Sequence, residues 1–353
     1  MSTEPKKKDL TDFNVTASPE ERLALREKLT APPPAPQPTD EEAKRSERAD
    51  KLCKALITGK DLLAMPLDER PRLLGAWLRE GDFGYIFAPR GHGKSWLSML
   101  LGNAIAERAG LGEWAAGGKT TRVVYFDAEM NLPDVQSRAR SIGISGEKFL
   151  WLQNEIIFNT RERSLNIADA SDQLALSDIL QDGDMLIVDN LSTGAAGLAE
   201  NDNDDFDKLK EWLLSLRKRH ITVVFVHHAG KSGVMRGASR REDMAHWIIS
   251  LKDDTKEGES TSFITSFAKC RNCPGRDAPP LRWTLHTGGG HLTYACRPYI
   301  GQEAMLDLIR EGIDDATGLA EEMGVSKGAI SKWAKKLEAE GSIKIESRKY
   351  KAL

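Results

Sequence analysis

Cysteine is scarce in this chain: four residues in 353, at positions 53, 270, 273 and 296. So few cannot build a disulfide framework in a chain of this length, and their scarcity points to a reducing cytoplasm. Long apolar runs are missing too. None approaches the roughly 18 residues that cross a bilayer, so no membrane partner is expected. The opening "MSTEPKKKDL" lacks the apolar core of a secretory signal. A surplus of either charge is also lacking: 50 Lys and Arg stand against 53 Asp and Glu, a net charge of –3. No overall positive field draws in nucleic acid, and any such surface has to be local.

What is present fits a globular protein, with 40% hydrophobic and 29% charged residues. Residues 1–50 are polar, with "APPPAPQPTD" at 31–40, and read as a disordered, proline-rich tail. A mixed-charge helical stretch follows. From about residue 82 short β-rich runs alternate with helical ones: "FGYIFA", "TRVVYFDA", "DMLIVDN" and "ITVVFVHH". That alternation predicts an α/β domain over 51–296, its central sheet mainly parallel and covered on both faces. The runs "HWIISLKD", "TSFITSFAKC", "LRWTLHTG" and "HLTYAC" have hairpin-like spacing and predict an antiparallel extension. Composition shifts again near Arg297-Pro298, and 297–353 reads as a small separate domain.

"APRGHGKS" at 88–95 carries the Gly-Lys-Ser of a P-loop, between a predicted strand and a predicted helix. Ala88 stands where the motif's first glycine is usual. Glycines at 91 and 93 let backbone N–H groups turn toward phosphates, and the helix N-terminus adds partial positive charge. The expected nucleotide-binding residues are Gly91, His92, Gly93, Lys94, Ser95 and Trp96. Lys94 reaches the β- and γ-phosphates, and Ser95 ligates Mg²⁺. Asp189 ends "DMLIVD" at the edge of the sheet where ligands bind, placed to hold the same ion as a Walker B acid. ATP and Mg²⁺ are the expected cofactors. "VVYFDAE" ends in two acids, Asp127 and Glu129. A carboxylate there can polarise the water that attacks the γ-phosphate, while Asp127 suits a cap on the following turn.

A strand ending Asp-Ala-Glu directly after the P-loop helix resembles the RecA-like ATPases. The resemblance implies that Glu129 orients the attacking water. "VVFVHHAGKSG" resembles the double histidine of RepA-type hexameric helicases (an AAA_25-like group), which implies a γ-phosphate sensor at His228, ahead of His227. "MRGASRREDMAHWIISL" resembles the segment that follows in that group. It makes Lys231, Arg236, Arg240 and Arg241 candidates for a DNA-facing loop. "SFAKCRNCPGR" resembles the K-x-R-N-x-P-x-G stretch of DnaB-type helicases, with Pro274 and Gly275 adjacent here. The likeness implies that Lys269 and Arg271 are finger residues that reach a neighbour's γ-phosphate. Cys270-x-x-Cys273 overlaps this stretch, and no second Cys pair exists to complete a zinc site.

"DATGLAEEMGVSKGAISKWAKKLEAEGSIKIESRKYKAL" resembles a winged helix-turn-helix. Thr317 and Ser326 are expected caps, and Ile330, Trp333, Ala334 and Leu337 the inward face. Lys327, Lys332, Lys335 and Lys336 are expected to face DNA. The resemblances together imply an ATP-dependent DNA helicase that forms a homo-oligomeric ring, a hexamer, for replication of a plasmid, phage or other mobile element. Single-stranded DNA would pass through the ring and duplex DNA would meet the winged helix. An ATP-switched DNA-binding regulator or recombination mediator without unwinding activity stays open as the alternative. A scaffold with a degenerate ATPase is disfavoured by the intact Lys94, Ser95, Glu129 and Asp189.

Overall fold

The computed structural model describes residues 18–30, 39–197, 203–229, 242–256, 261–299 and 301–353. It divides into two units, residues 1–68 and 69–353.

The first unit contains helices α1 (Pro19–Thr30), α2 (Asp40–Ala55) and α3 (Gly59–Ala64). The sequence predicts a disordered tail over residues 1–50, yet residues 19–30 form α1 and residues 40–50 lie within α2. A reciprocal cap starts this helix: Thr39 accepts from the Glu42 amide at 3.3 Å and Glu42 accepts from the Thr39 amide at 2.8 Å. Acidic residues in its first turn favour the helix dipole.

The second unit opens with a small antiparallel pair, β1 (Arg72–Leu74) and β2 (Leu78–Arg79). The central sheet then forms from β3 (Phe83–Ala88), β4 (Val123–Asp127), β5 (Phe149–Gln153), β6 (Met185–Asp189) and β7 (Thr222–His228). It continues with β8 (Trp247–Asp253), β9 (Thr261–Cys270), β10 (Leu281–Gly288) and β11 (His291–Pro298). The nine strands lie in the order β11-β10-β9-β8-β3-β7-β6-β4-β5. From β8 to β5 every pairing is parallel; β9, β10 and β11 add antiparallel strands at one edge. The expected mainly parallel sheet with an antiparallel extension is present. One correction concerns β8, which the hairpin-like spacing assigned to the extension. It pairs in parallel with β3 on one side and antiparallel with β9 on the other, so the change of direction falls between β8 and β9.

Both sheet faces are covered, and residue alternation assigns each side chain to a face. Ile86 and Ala88 of β3, Val123 and Tyr125 of β4, Met185 and Ile187 of β6, and Val224 and Val226 of β7 pack in one core with helix α4 (Lys94–Ala106). Their neighbours Tyr85, Phe87, Val124, Phe126, Leu186, Val188, Val223 and Phe225 enter the opposite core. The strands are buried on both faces, which is why their sequences read as continuous apolar runs. Continuing the alternation by one step puts Asp127, Asp189 and His228 on the α4 face, and His227 on the other.

Past the sheet come α10 (Gln302–Arg310), α11 (Ala316–Glu322) and α12 (Lys327–Ala339), then a hairpin of β12 (Ile343–Glu346) and β13 (Lys349–Ala352). Counting in chain order, the helices between are α5 (Leu132–Ile142), α6 (Asn154–Arg161), α7 (Ala170–Ile179), α8 (Leu191–Gly194) and α9 (Asn203–Lys218). The carboxyl-terminal segment has its own core, where Ile330, Ala334 and Leu337 are buried and Trp333 packs partly buried beside them. Ser326 caps α12, accepting from the Ala329 amide at 3.2 Å. The cap of α11 is Asp315 and not Thr317: its Oδ1 accepts from the Thr317 and Gly318 amides at 2.8 and 3.0 Å. A carboxylate two residues earlier, at the N-cap, reaches both orphan amides, which a hydroxyl inside the helix cannot.

The sheet tolerates no added bulk at β3. A Cβ on Gly84 would lie 2.4 Å from the ring of Trp247, which is itself wholly buried and packed edge-on against Trp77. Gly84→Ala is expected to lower stability by about 1–3 kcal/mol, the usual cost of overpacking a core. Urea unfolding measures this; an unchanged midpoint would contradict the packing described.

Candidate active site

The P-loop bridges the end of β3 and the start of α4. Gly93 is the N-cap of α4 with φ +84°, a left-handed conformation that suits glycine. A second constraint falls on the same residue: a Cβ there would lie 2.6 Å from Phe263 of β9. The loop forms one wall of a cleft of about 270 Å³. Gly91, Gly93, Lys94, Ser95 and Trp96 line it, together with Glu129, Asp189 and His228. The structure thus brings four predicted segments, far apart in sequence, to the carboxyl ends of adjacent parallel strands. His92 is not among the lining residues.

Lys94 is buried, and its ammonium donates to the carbonyls of Ala88 at 3.0 Å and Pro89 at 2.7 Å. Burial pushes its pKa down to about 8, against the pull of Asp189 and Glu129. Asp189 is wholly enclosed. Burial raises its pKa, and hydrogen bonds from Tyr125 and Ser95 oppose that rise. The Tyr125 hydroxyl donates to Asp189 Oδ2 at 2.7 Å. Ser95 and Asp189 therefore present two hard oxygen donors side by side. That set fits Mg²⁺, which takes one or two carboxylates and completes its shell with phosphate oxygens and water.

Glu129 stands at the opposite wall, half exposed, with one carboxylate oxygen held by Asn190 Nδ2. Asn190 was not singled out by sequence reading, because a lone Asn after a strand looks like a helix cap. It is that cap: its Oδ1 accepts from the Thr193 amide at 3.0 Å. This fixes the amide's orientation and leaves Nδ2 facing Glu129 and His228, whose Nε2 lies 3.1 Å away. The imidazole also lies 3.8 Å from the Glu129 carboxylate. One side chain thus positions both the acid and the histidine. Asp127 does the capping expected of it, its Oδ1 accepting from the Glu129 and Met130 amides at 3.1 and 2.8 Å. Burial raises its pKa to about 6, although both amide bonds favour the anion.

Arg90, Met130, Arg138 and Thr261 also line the cleft and were missed in the sequence. Arg138 sits over the Trp96 ring at 5.1 Å, a cation–π pair that no local motif announces.

Two groups of predicted residues lie elsewhere. Lys269 and Arg271 are not brought to this chain's own cleft. Because β9 runs antiparallel to β8, Lys269 pairs with Ile248, near the level of Tyr85 and several residues from Ala88. Lys269 Nζ donates to the Glu242 carbonyl, and Arg271 Nη2 to that of Asp243 at 2.7 Å. Lys327, Lys332, Lys335 and Lys336 are exposed on α12. Lys231, Arg236, Arg240 and Arg241 lie outside the described residues. Cys270 Sγ and Cys273 Sγ are 3.2 Å apart, and no further metal ligand joins them among the described residues. No helix among those residues is long and apolar enough to cross a membrane.

Two outcomes follow from this geometry. Glu129→Gln is expected to bind ATP as tightly as the parent while turnover drops about 100-fold or more; equilibrium binding and steady-state hydrolysis read this, and parental turnover would contradict it. Asp127 binds its proton more readily folded than unfolded, so its ionisation removes stability as pH rises from about 4 through about 6. Asp127→Asn keeps the cap without the buried charge. Its stability relative to the parent is expected to improve from pH 4 to pH 7 in denaturant titrations; a difference independent of pH would contradict the assignment.

A family model described as "AAA domain" (AAA_25) matches residues 43–234, more than half of the chain. No protein of curated function matches the sequence. Among solved structures, the chain is similar to the flagellar accessory protein FlaH from Methanocaldococcus jannaschii. The identity is 12% and the TM-score 0.43, over 61% of this chain and 89% of that one. It is also similar to the KaiC-like protein PH0186 from Pyrococcus horikoshii OT3. There the identity is 16% and the TM-score 0.40, over 62% of this chain and 91% of that one. With its P-loop and the extent of the family match, this chain belongs to the AAA domain family AAA_25.

Proposed function

We propose that the chain is an ATP-hydrolysing DNA motor that works as a ring of identical subunits, a replicative helicase of a plasmid, phage or other mobile element. The observation that carries the reading is the convergence of Lys94, Ser95, Asp189, Glu129, Asn190 and His228 on one cleft. Lys94 and the loop amides would bind the phosphates, and Ser95 and Asp189 would hold Mg²⁺. The ion, when bound, neutralises charge on the phosphates. Glu129, steadied by Asn190, would orient the attacking water, and His228 would report on the γ-phosphate through the same amide.

Support for a ring comes from Lys269 and Arg271. They stand at the far end of β9 from this chain's cleft, so any part they take in hydrolysis belongs to a neighbouring copy. A cation added in trans is worth several powers of ten in phosphoryl transfer. Support for DNA comes from α12, whose exposed lysines follow a capped turn and precede a hairpin. Three helices and a β-hairpin in this order are what a winged helix-turn-helix would have, and α12 would then be the recognition helix. The lysines at 327, 332, 335 and 336 would meet duplex phosphates. Lys231, Arg236, Arg240 and Arg241 would grip the single strand in the ring.

Mixing variants tests this reading. Arg271→Ala and Lys94→Ala are each expected to lose hydrolysis, and the mixture to recover part of it, because one mixed interface then contains a complete site. Mixed assemblies that form and stay inactive would overturn the shared site. Unwinding of a forked duplex is expected from the parent protein. DNA-stimulated hydrolysis without strand separation would instead favour an ATP-switched regulator or recombination mediator.

A further inference from the structure

The ATPase reading uses Asp189 as a metal-holding carboxylate but leaves unexplained what holds Asp189 itself. Tyr125 is wholly buried in the middle of the P-loop face, with its hydroxyl 2.7 Å from Asp189 Oδ2 and 2.8 Å from Ser98 Oγ. Ser98 is buried as well and lies 3.1 Å from the Ser95 carbonyl. A tyrosine in this position is not required for packing, since phenylalanine fills the same space. Its hydroxyl is worth burying only if it is satisfied, and both partners are polar atoms of the P-loop helix and the Asp189 strand.

Counting protons fixes the direction of these bonds. The single Tyr125 hydrogen goes to Asp189 Oδ2. Tyr125 then has an acceptor lone pair facing Ser98, whose hydrogen is shared between the Tyr125 oxygen and the Ser95 carbonyl. The result is a buried relay from the carboxylate of β6, through β4, to the first turn of α4. Ser95, the other oxygen donor, lies in that same turn. The relay therefore ties the strand that carries Asp189 to the turn that carries Ser95.

We propose that Tyr125 is a positioning residue for divalent metal binding, with Ser98 as its anchor on the P-loop helix. It touches neither nucleotide nor metal. It holds the Asp189 carboxylate in a fixed position relative to the P-loop helix, so that the ion meets a prepared pair of donors. The proposal rests on the reading of the cleft as an ATP–Mg²⁺ site.

Binding of a fluorescent ATP analogue, measured with and without Mg²⁺, tests it with no turnover involved. In Tyr125→Phe, affinity in EDTA is expected to match the parent, since Lys94 and the loop amides are untouched. The Mg²⁺ concentration for half-maximal enhancement of binding is expected to rise about tenfold, the effect of losing one buried hydrogen bond to a charged group. Ser98→Ala, which leaves Tyr125 in place but unanchored, is expected to show a smaller shift in the same direction. It also guards against a Tyr125→Phe variant that fails to fold. A parental Mg²⁺ midpoint in folded Tyr125→Phe, or equal loss of affinity with and without the ion, would overturn the positioning role. A parent protein whose nucleotide binding ignores Mg²⁺ would overturn instead the reading on which the proposal stands.

Discussion

The parallel register of four adjacent strands is the constraint on which the site depends. Ala88 of β3 lies beside His228 of β7, Val226 of β7 beside Asp189 of β6, and Asp189 beside Asp127 of β4. Because side chains alternate, this register also decides which of them face the P-loop helix. A slip of one residue in any strand would send its terminal polar group to the opposite core, as has happened to His227 beside His228. The apolar interior of each strand is what forbids the slip. Packing in the middle of the sheet thus fixes chemistry at its edge.

That edge gathers groups that resist burial one by one. A buried lysine, a buried aspartate and a second aspartate behind it each lose hydration. The structure answers with specific partners: carbonyls for Lys94, two hydroxyls for Asp189 and two amides for Asp127. The net result is a set of charges held in place before any ligand arrives. Phosphates and a divalent ion, bound as proposed, would complete the balance of charge. Glu129 is the exception, half exposed and held at one oxygen.

Most of this was legible in the sequence because phosphate chemistry relies on local motifs. Gly-Lys-Ser before a helix and single acids at the ends of apolar strands announce themselves. The preference for His228 over His227 is explained only by facing, which the fold supplies. What stayed hidden depends on contacts across the sheet. Tyr125 reads as one more apolar strand residue, Asn190 as an ordinary cap, and Arg138 as a surface cation on α5. β5, the strand "FLWLQ", is not among the runs read as strands in the sequence. The direction of β8 was misread because its short link to β9 suggests a hairpin, and it is one, while its other edge pairs in parallel with β3. The carboxyl-terminal helices were readable from periodicity, but the choice of Asp315 over Thr317 as a cap turned on which oxygen reaches the orphan amides.

In the proposed ring, one copy supplies the phosphate loop and water-directing acid while a second supplies cations that its own cleft does not receive. Specific ATPase rate measured across a dilution series, with the mass of the assembly recorded at each concentration, tests this most directly. The account predicts that activity per chain falls together with the assembly and is nearly lost in the monomer. A monomer that hydrolyses ATP at the full rate would contradict it.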